Sequence, residues 1–256
     1  MNYNWNWPIF LSMAPGAGYN YFQSLLLGTG WTLVTACLAF IIALFLGTAV
    51  GIGRTLPSRT IQWMANVYVE VFRNIPLLVQ MFLWFFVFPE LVSERLGQWL
   101  KTNEYSSFAT AVVCLGIFTS ARIAEQVRSG IRSLSNGQAK AALAIGLSLR
   151  QAYQLVLLPQ ALRLVIPPMT SEMVNIVKNT SVGLTIGLME LTARTREMQE
   201  MSFQVFEAFL AATIIYLVIN TAIGYGMGRL ERFYANKTKH TVLVDVANSN
   251  VQGVTA

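Results

Sequence analysis

The sequence predicts an all-α membrane protein with five transmembrane helices. Three observations carry that prediction. Of its 256 residues, 54% are hydrophobic and only 12% are charged, about half the charged share of a soluble domain. No charged side chain occurs anywhere in 1–53. The remaining chain divides into apolar stretches near the roughly 20 residues that a helix needs to cross the hydrocarbon core.

The first span is expected over about 21–53. Ala43, Gly47 and Gly51 recur every four residues and form a small-residue stripe on which another helix can pack closely. Pro57 then breaks the helix between Arg54 and Arg59. The second span is expected over about 61–91. Its charge-free part, 74–89, has only 16 residues, too few to cross alone, so the span takes in Glu70 and Arg73. These stand three apart and can pair on one helical face. Pro76 is expected to kink this helix, since the residue before a proline is biased away from the α region.

A polar loop over 92–105 precedes the third span, about 106–131, which carries Arg122 and Glu125 near one end. A long basic segment, 132–166, separates it from the fourth span at about 167–190, which holds Glu172, Asn175 and Lys178. Charges at that depth are costly in lipid, so this helix should face protein or a water-filled path. A charged loop over 191–202 leads to the fifth span, about 203–228, with Asn220, Gly224 and Gly228 on one face. The chain thus reads as an external segment 1–20, a transmembrane domain 21–235 and a flexible cytoplasmic tail 236–256.

The net charge of +6 could serve nucleic acid or anionic lipid. The bases cluster beside the spans, and no Lys/Arg-rich run is interleaved with aromatics, which speaks for membrane topology and against nucleic acid. Eleven Lys and Arg residues flank one set of span ends and four flank the other. The positive-inside bias therefore places 132–166 and the C-terminus in the cytoplasm and the N-terminus outside. The N-terminus lacks the basic region of a signal peptide. Trp5 and Trp7 fit either a membrane interface or a disordered segment. Cys37 and Cys114 form no C-x-x-C pair, and the single histidine, His240, lies in the tail, so no metal site is expected.

Within the long loop, Ala139, Ala142, Leu143, Gly146 and Leu147 follow helical spacing, one face of an amphipathic helix, with Ser135 or Asn136 available as its cap. Pattern alone fits docking on another protein, lying on the membrane, or packing on the chain's own bundle. Lys140-Ala141-Ala142, then Gly146 after three residues, then Val156-Leu157-Leu158-Pro159 after nine more, resembles the EAA loop of ABC importer permeases. That family reads Glu-Ala-Ala, three residues, Gly, nine residues, Ile-x-Leu-Pro. Lys140 and Val156 depart from it, and the first departure reverses a charge. Tyr68-Val69-Glu70-Val71-Phe72-Arg73-Asn74-Ile75-Pro76-Leu77-Leu78-Val79-Gln80, Ala124-Glu125-Gln126-Val127-Arg128-Ser129-Gly130-Ile131 and Lys178-Asn179-Thr180-Ser181 are similar to motifs of the polar amino-acid permeases. The resemblance spans about 20–235.

It implies a non-catalytic permease subunit of an ATP-driven type I importer in a bacterial inner membrane. Glutamate or aspartate is the expected substrate. Implied partners are an ABC ATPase dimer, a second permease subunit expected to be a homologous but different chain, a periplasmic substrate-binding protein and membrane lipid. This chain would bind no cofactor, because ATP is used by the partner. ATPase coupling falls to Gln138, Lys140, Ala141, Ala142, Leu143, Gly146 and Pro159. The candidate translocation path is Arg122, Glu125, Glu172, Asn175 and Lys178. A guanidinium at 122 matches a carboxylate bidentately, although pairing with Glu125 is the favoured reading of the residues. Lys178 could likewise be a structural partner of Glu172 or Glu190. A self-sufficient secondary transporter or channel is the alternative, weakened by the lack of an evident internal repeat. A membrane enzyme has no G-x-S-x-G, H-E-x-x-H or S-x-x-K to work with, and no G-x-x-x-x-G-K-[ST] is present for ATP hydrolysis.

Overall fold

The computed structural model describes residues 3–16, 18–134 and 136–253, and they are helical almost throughout. Helix α1 (Tyr21–Gly53) opens with a capping box: Gln23 N–H donates to Asn20 Oδ1 at 2.8 Å, and Asn20 N–H donates to Gln23 Oε1 at 3.0 Å. Two polar groups are thereby satisfied where the helix starts. Beyond Tyr21 and Leu25 in its first turns, its buried face is small: Gly28, Thr32, Thr35, Ala36, Ala39, Ala43, Gly47 and Gly51. The expected stripe packs inside the chain, against α5 (Ser106–Arg132). A Cβ on Gly47 would lie 2.7 Å from Ile123 Cβ, and one on Gly51 would lie 2.7 Å from Val127 Cβ and 2.8 Å from the Ala124 carbonyl oxygen. The long side chains of α1, among them Leu26, Leu33, Leu38 and Phe45, point outward.

The expected second span is two helices, α2 (Arg59–Asn74) and α3 (Leu77–Leu91), with an angle of 103° between them. Ile75, ahead of Pro76, is extended (φ −88°, ψ 127°), as a pre-proline residue prefers. The break frees carbonyl oxygens that an apolar setting cannot hydrate. The buried Gln80 side chain answers them: its Nε2 donates to Phe72 O and Ile75 O, each at 2.9 Å. A π-helical turn, Leu83–Val87, lies within α3. Helix α4 (Glu94–Thr102) follows, tied back by the Lys101–Glu90 ion pair at 2.7 Å.

After α5 comes α6 (Asn136–Ala144), then a turn Leu149–Gln151 that runs through a π-helical stretch, Ala152–Leu157, into α7 (Leu158–Asn179). The helix expected as the fourth span therefore starts nine residues before the expected 167. Pro159 stands where the π-helical stretch passes into α7, and Pro167 and Pro168 also stay in the helix interior. Its far end departs too, tightening into a 3₁₀ helix, Thr180–Ile186, that Gly187 terminates at φ 84°. Helix α8 (Leu191–Ser202) and a long α9 (Val205–Gly253) complete the order. Where a flexible tail was expected over 236–256, the backbone is helical through Gly253; no Pro or Gly interrupts 229–252.

Among the described residues, three helices are long and apolar enough to cross a membrane: Tyr21–Gly53, Ser106–Arg132 and Val205–Arg229. The bent α2–α3 pair makes a fourth. Helix α7 is not among them. It carries charged residues, and it packs Val165, Met169, Glu172, Ile176 and Val177 into the bundle. The main core joins α1, α5 and α7 through Ala36, Ala39, Ala43, Leu115, Ile123, Val127, Val165 and Ile176.

The glycine contact yields a direct test. Gly51→Leu should destabilise the protein by about 1–3 kcal/mol, the usual cost of overpacking, and lower its melting temperature in detergent. Gly30→Leu, at a position with no neighbour within 4 Å of its Cβ, should leave the melting temperature unchanged or slightly raised.

Candidate functional site: a charged pocket and a docking loop

Beside the α2–α3 break lies a cavity of about 370 Å³, lined by Arg73, Phe118, Arg122, Glu125, Gln126 and Glu172. The α5 residues 118, 122, 125 and 126 share a face by their spacing of three and four. Arg73 comes from the last turn of α2 and Glu172 from α7.

Two polar clusters meet in this cavity. In the first, Arg122 Nε lies 3.0 Å from Glu172 Oε2, and Gln126 Nε2 donates to Glu172 Oε1 at 2.8 Å. The Glu172 side chain is only 5% exposed, whereas that of Arg122 is 44% exposed. The Arg122 contact lacks hydrogen-bond geometry, so Glu172 Oε2 and Gln126 Oε1 are both buried acceptors without a hydrogen-bond donor. In the second, Glu125 takes hydrogen-bonded ion pairs from Arg54 and Arg128, with Arg73 NH1 at 3.6 Å. Arg54 Nε also donates to Asn66 Oδ1 at 2.7 Å. One carboxylate thus faces three guanidiniums from α2, α5 and the end of α1.

Arg122, Glu125 and Glu172, three of the five expected path residues, come together here. Asn175 and Lys178 do not line the cavity. Lys178 is exposed and enters no ion pair among the described residues, so it is not the partner of Glu172 or Glu190. Glu190 instead caps α8, accepting from Ala193 N–H and Tyr216 Oη at 2.9 Å each. The intrahelical pairings also fail. Arg122 turns to Glu172 on another helix, because Glu125 is already held by Arg54 and Arg128. Glu70 accepts from Asn74 Nδ2 at 3.1 Å, leaving Arg73 to Glu125. Sequence reading missed Gln126 and Phe118, which i, i+4 spacing from Arg122 could have flagged, and Arg54, read only as a loop cation.

The docking loop projects from α5 and α7. Residues Gln138, Lys140, Ala141, Ala142 and Leu143 lie on α6; Ser135 is outside the described residues, as is the side chain of Asn136. The helix stops at Ala144, short of the expected Leu147. Gly146 adopts φ 88°, and Leu147 N–H returns to Ala142 O at 3.2 Å. That left-handed turn favours glycine. Ala142, expected on the docking face, is buried in the chain itself (3% exposed). Lys140, Ala141, Leu143, Ala144 and Ile145 are exposed. Gln138 is half-buried, and Pro159 sits apart in the first turn of α7. Behind α6, Tyr153 Oη donates to Thr55 O at 2.9 Å, with Thr55 Oγ1 at 3.1 Å. This ties the loop to the residue next to Arg54.

Broken helices, a charge cluster between helices and a helical loop are features of a transport subunit. The chain belongs to the family of binding-protein-dependent transport system inner membrane components, whose model matches residues 43–235. It is therefore a non-catalytic membrane component of an ABC-type transport system. The glutamate/aspartate import permease protein GltJ of Escherichia coli K12 is 44% identical over 235 residues, covering 91% of this chain and 96% of that one. The probable glutamine ABC transporter permease protein GlnM of Bacillus subtilis 168 is 35% identical over 202 residues, covering 78% and 88%. A solved amino acid ABC transporter with histidines superposes with a TM-score of 0.71 at 26% identity, covering 83% of this chain and 94% of that one. An inward-facing methionine ABC transporter, MetNI, shares the fold with a TM-score of 0.70 at 20% identity, covering 83% and 96%.

The Glu125 cluster predicts a salt-dependent defect. Glu125→Gln leaves Arg54, Arg73 and Arg128 facing one another, and it should cost about 2 kcal/mol given the partial exposure of the site. The loss of melting temperature should shrink as salt rises, because ions screen the exposed part of that repulsion.

Proposed function

We propose that this chain is the translocation subunit of an importer for acidic amino acids, with glutamate and aspartate as its substrates. The observation that carries this reading is the Arg122–Glu172 pair in the cavity. Arg122 is a permanently charged, half-open group that can receive a carboxylate in bidentate fashion. The relative named for glutamate and aspartate import, at 44% identity over most of the chain, supports that substrate class. Glu172 neutralises Arg122 in the cavity. An incoming dicarboxylate replaces it on the guanidinium, while the substrate ammonium is matched by the released Glu172 Oε2 and by Gln126 Oε1, which has no hydrogen bond.

The exposed face of α6, with Gly146 and Pro159 at the bends of the loop, docks on an ABC ATPase dimer that hydrolyses the ATP. A second permease subunit completes the path, and a periplasmic binding protein delivers substrate. The excess of Lys and Arg beside the loop supports a cytoplasmic loop and a periplasmic N-terminus in an inner membrane. Transport arises because ATP binding and substrate binding each favour one of two arrangements of the bundle. The Tyr153–Thr55 contact gives the loop a mechanical connection to the Arg54–Glu125 cluster.

Reconstituted uptake with a panel of acidic, amide and basic amino acids tests the reading. Arg122→Ala should reduce glutamate uptake about 10-fold or more, as expected for losing a charge-assisted hydrogen bond of about 1.5–3 kcal/mol, and should affect glutamine less. Unchanged uptake and selectivity would refute the role of Arg122. For the loop, Ala141→Trp should abolish co-purification with the ATPase by blocking close approach, whereas Lys140→Glu should retain it. Loss with Lys140→Glu alone would show that docking here depends on the reversed charge.

A further inference from the structure

The segment before α1 lies outside the family match, which begins at residue 43, and it takes no part in the pocket or the docking loop. It is nevertheless folded. Tyr3 Oη donates to Glu207 Oε2 at 2.5 Å, and Asn6 N–H donates to Glu207 Oε1 at 2.7 Å. Glu207 is 0% exposed in the first turn of α9. A fully covered carboxylate requires such donors, and here the N-terminal segment supplies them. Ile9, Phe10 and Ala14 pack with Tyr21, Leu25, Leu191, Met198 and Ala208. The inner side of the segment is thus committed to α1, α8 and α9.

The outer side is not. Trp5 and Trp7 are 52% and 48% exposed and stacked, their ring centroids 5.3 Å and their planes 2° apart. Phe206 meets Tyr3 at 4.6 Å and Trp5 at 6.2 Å. Leu11 and Met13 are more exposed still, at 75% and 64%. This surface continues into the outward apolar faces of the two spans that begin beside it, Phe22 and Leu26 on α1 and Phe209 and Leu210 on α9. Its N-terminal and α1 parts carry no charged side chain, since none occurs in 1–53. An uncharged aromatic surface continuous with lipid-facing helices suits phospholipid better than a charged protein partner. Indole rings are enriched at the headgroup level because they combine an apolar body with a polar N–H.

We infer that residues 3–13 form an aromatic collar that lies in the lipid headgroup interface where α1 and α9 enter the membrane. Phospholipid is its ligand, and the Tyr3–Glu207 contact is its clasp. The collar fixes the depth of both helix starts, because one segment is tied to each of them. This inference is independent of the substrate reading and of the docking loop.

Spin labels at Asn4→Cys and Pro8→Cys, both exposed positions that leave the tryptophans intact, test it in the full transporter. The host is a Cys37→Ala background that retains the buried Cys114, reconstituted into phosphatidylcholine/phosphatidylglycerol vesicles. Both labels should be more accessible to oxygen than to an aqueous nickel chelate, at a depth of about 5–10 Å. A label at Arg196→Cys should show the reverse. The double substitution Trp5→Ser, Trp7→Ser should shift both collar labels toward the nickel-accessible state. Tyr3→Phe, which removes only a hydroxyl, should raise their mobility severalfold. Nickel accessibility at 4 and 8 equal to that at 196 would overturn the collar. Protection that arises only on adding the binding protein would also overturn it, by making the surface a protein contact. Unchanged mobility in Tyr3→Phe would overturn the clasp.

Discussion

The close approach of α1 to α5 governs the rest of this molecule. Gly47 and Gly51 remove the side chains that would hold the two backbones apart, and Ile123 and Val127 fill the space. In an apolar solvent, burial of hydrocarbon offers little to drive helix association. Dense packing and satisfied polar groups must do the work. This contact fixes where the end of α1 falls relative to α5, and so allows Arg54 to reach Glu125. Once Glu125 is held by Arg54 and Arg128, Arg122 is left to Glu172 on α7. The chemistry of the pocket therefore follows from a packing decision made one to two helical turns away.

Several polar irregularities in the bundle are matched by groups that make them tolerable. The break between α2 and α3 exposes carbonyl oxygens, and Gln80 donates to two of them. The start of α8 is capped by the carboxylate of Glu190, itself held by Tyr216 and Thr32. The first turn of α9 carries Glu207, sealed by Tyr3 and Asn6. Glu172 Oε2 and Gln126 Oε1 differ from the other buried atoms without a hydrogen-bond partner in that their residues line the charged cavity. Gln126 Oε1 is a buried acceptor with no hydrogen bond, and Glu172 Oε2 has only the poorly aligned Arg122 guanidinium. An unsatisfied buried acceptor costs about 1–3 kcal/mol, so a ligand bearing an ammonium group has a physical reason to bind there.

The docking loop shows how a motif and its geometry differ. The spacing of Lys140-Ala141-Ala142 and Gly146 is plain in the sequence, and so is the small size of the side chains. Which of them face outward is not. Ala142 turns into the chain, and Ile145, which the helical pattern leaves off the face, is exposed. The helix closes at Ala144 because Gly146 adopts a left-handed conformation, which rotates everything after it out of register with the pattern.

The sequence by itself determined that this is a helical membrane protein, approximately where most of its helices run, and that a loop of family-specific spacing separates α5 from α7. Those features rest on local hydrophobicity, proline and glycine positions and residue spacing, all of which act within a few turns of chain. Tertiary structure decided the pairing of charges, the 103° angle at Ile75–Pro76, the early start of α7 and the anchoring of the N-terminal segment. Arg122 had a carboxylate three residues away and took one fifty residues away, at Glu172. Electrostatic partners are chosen by distance and by competition in the folded bundle, and neither is encoded in the neighbourhood of any one residue.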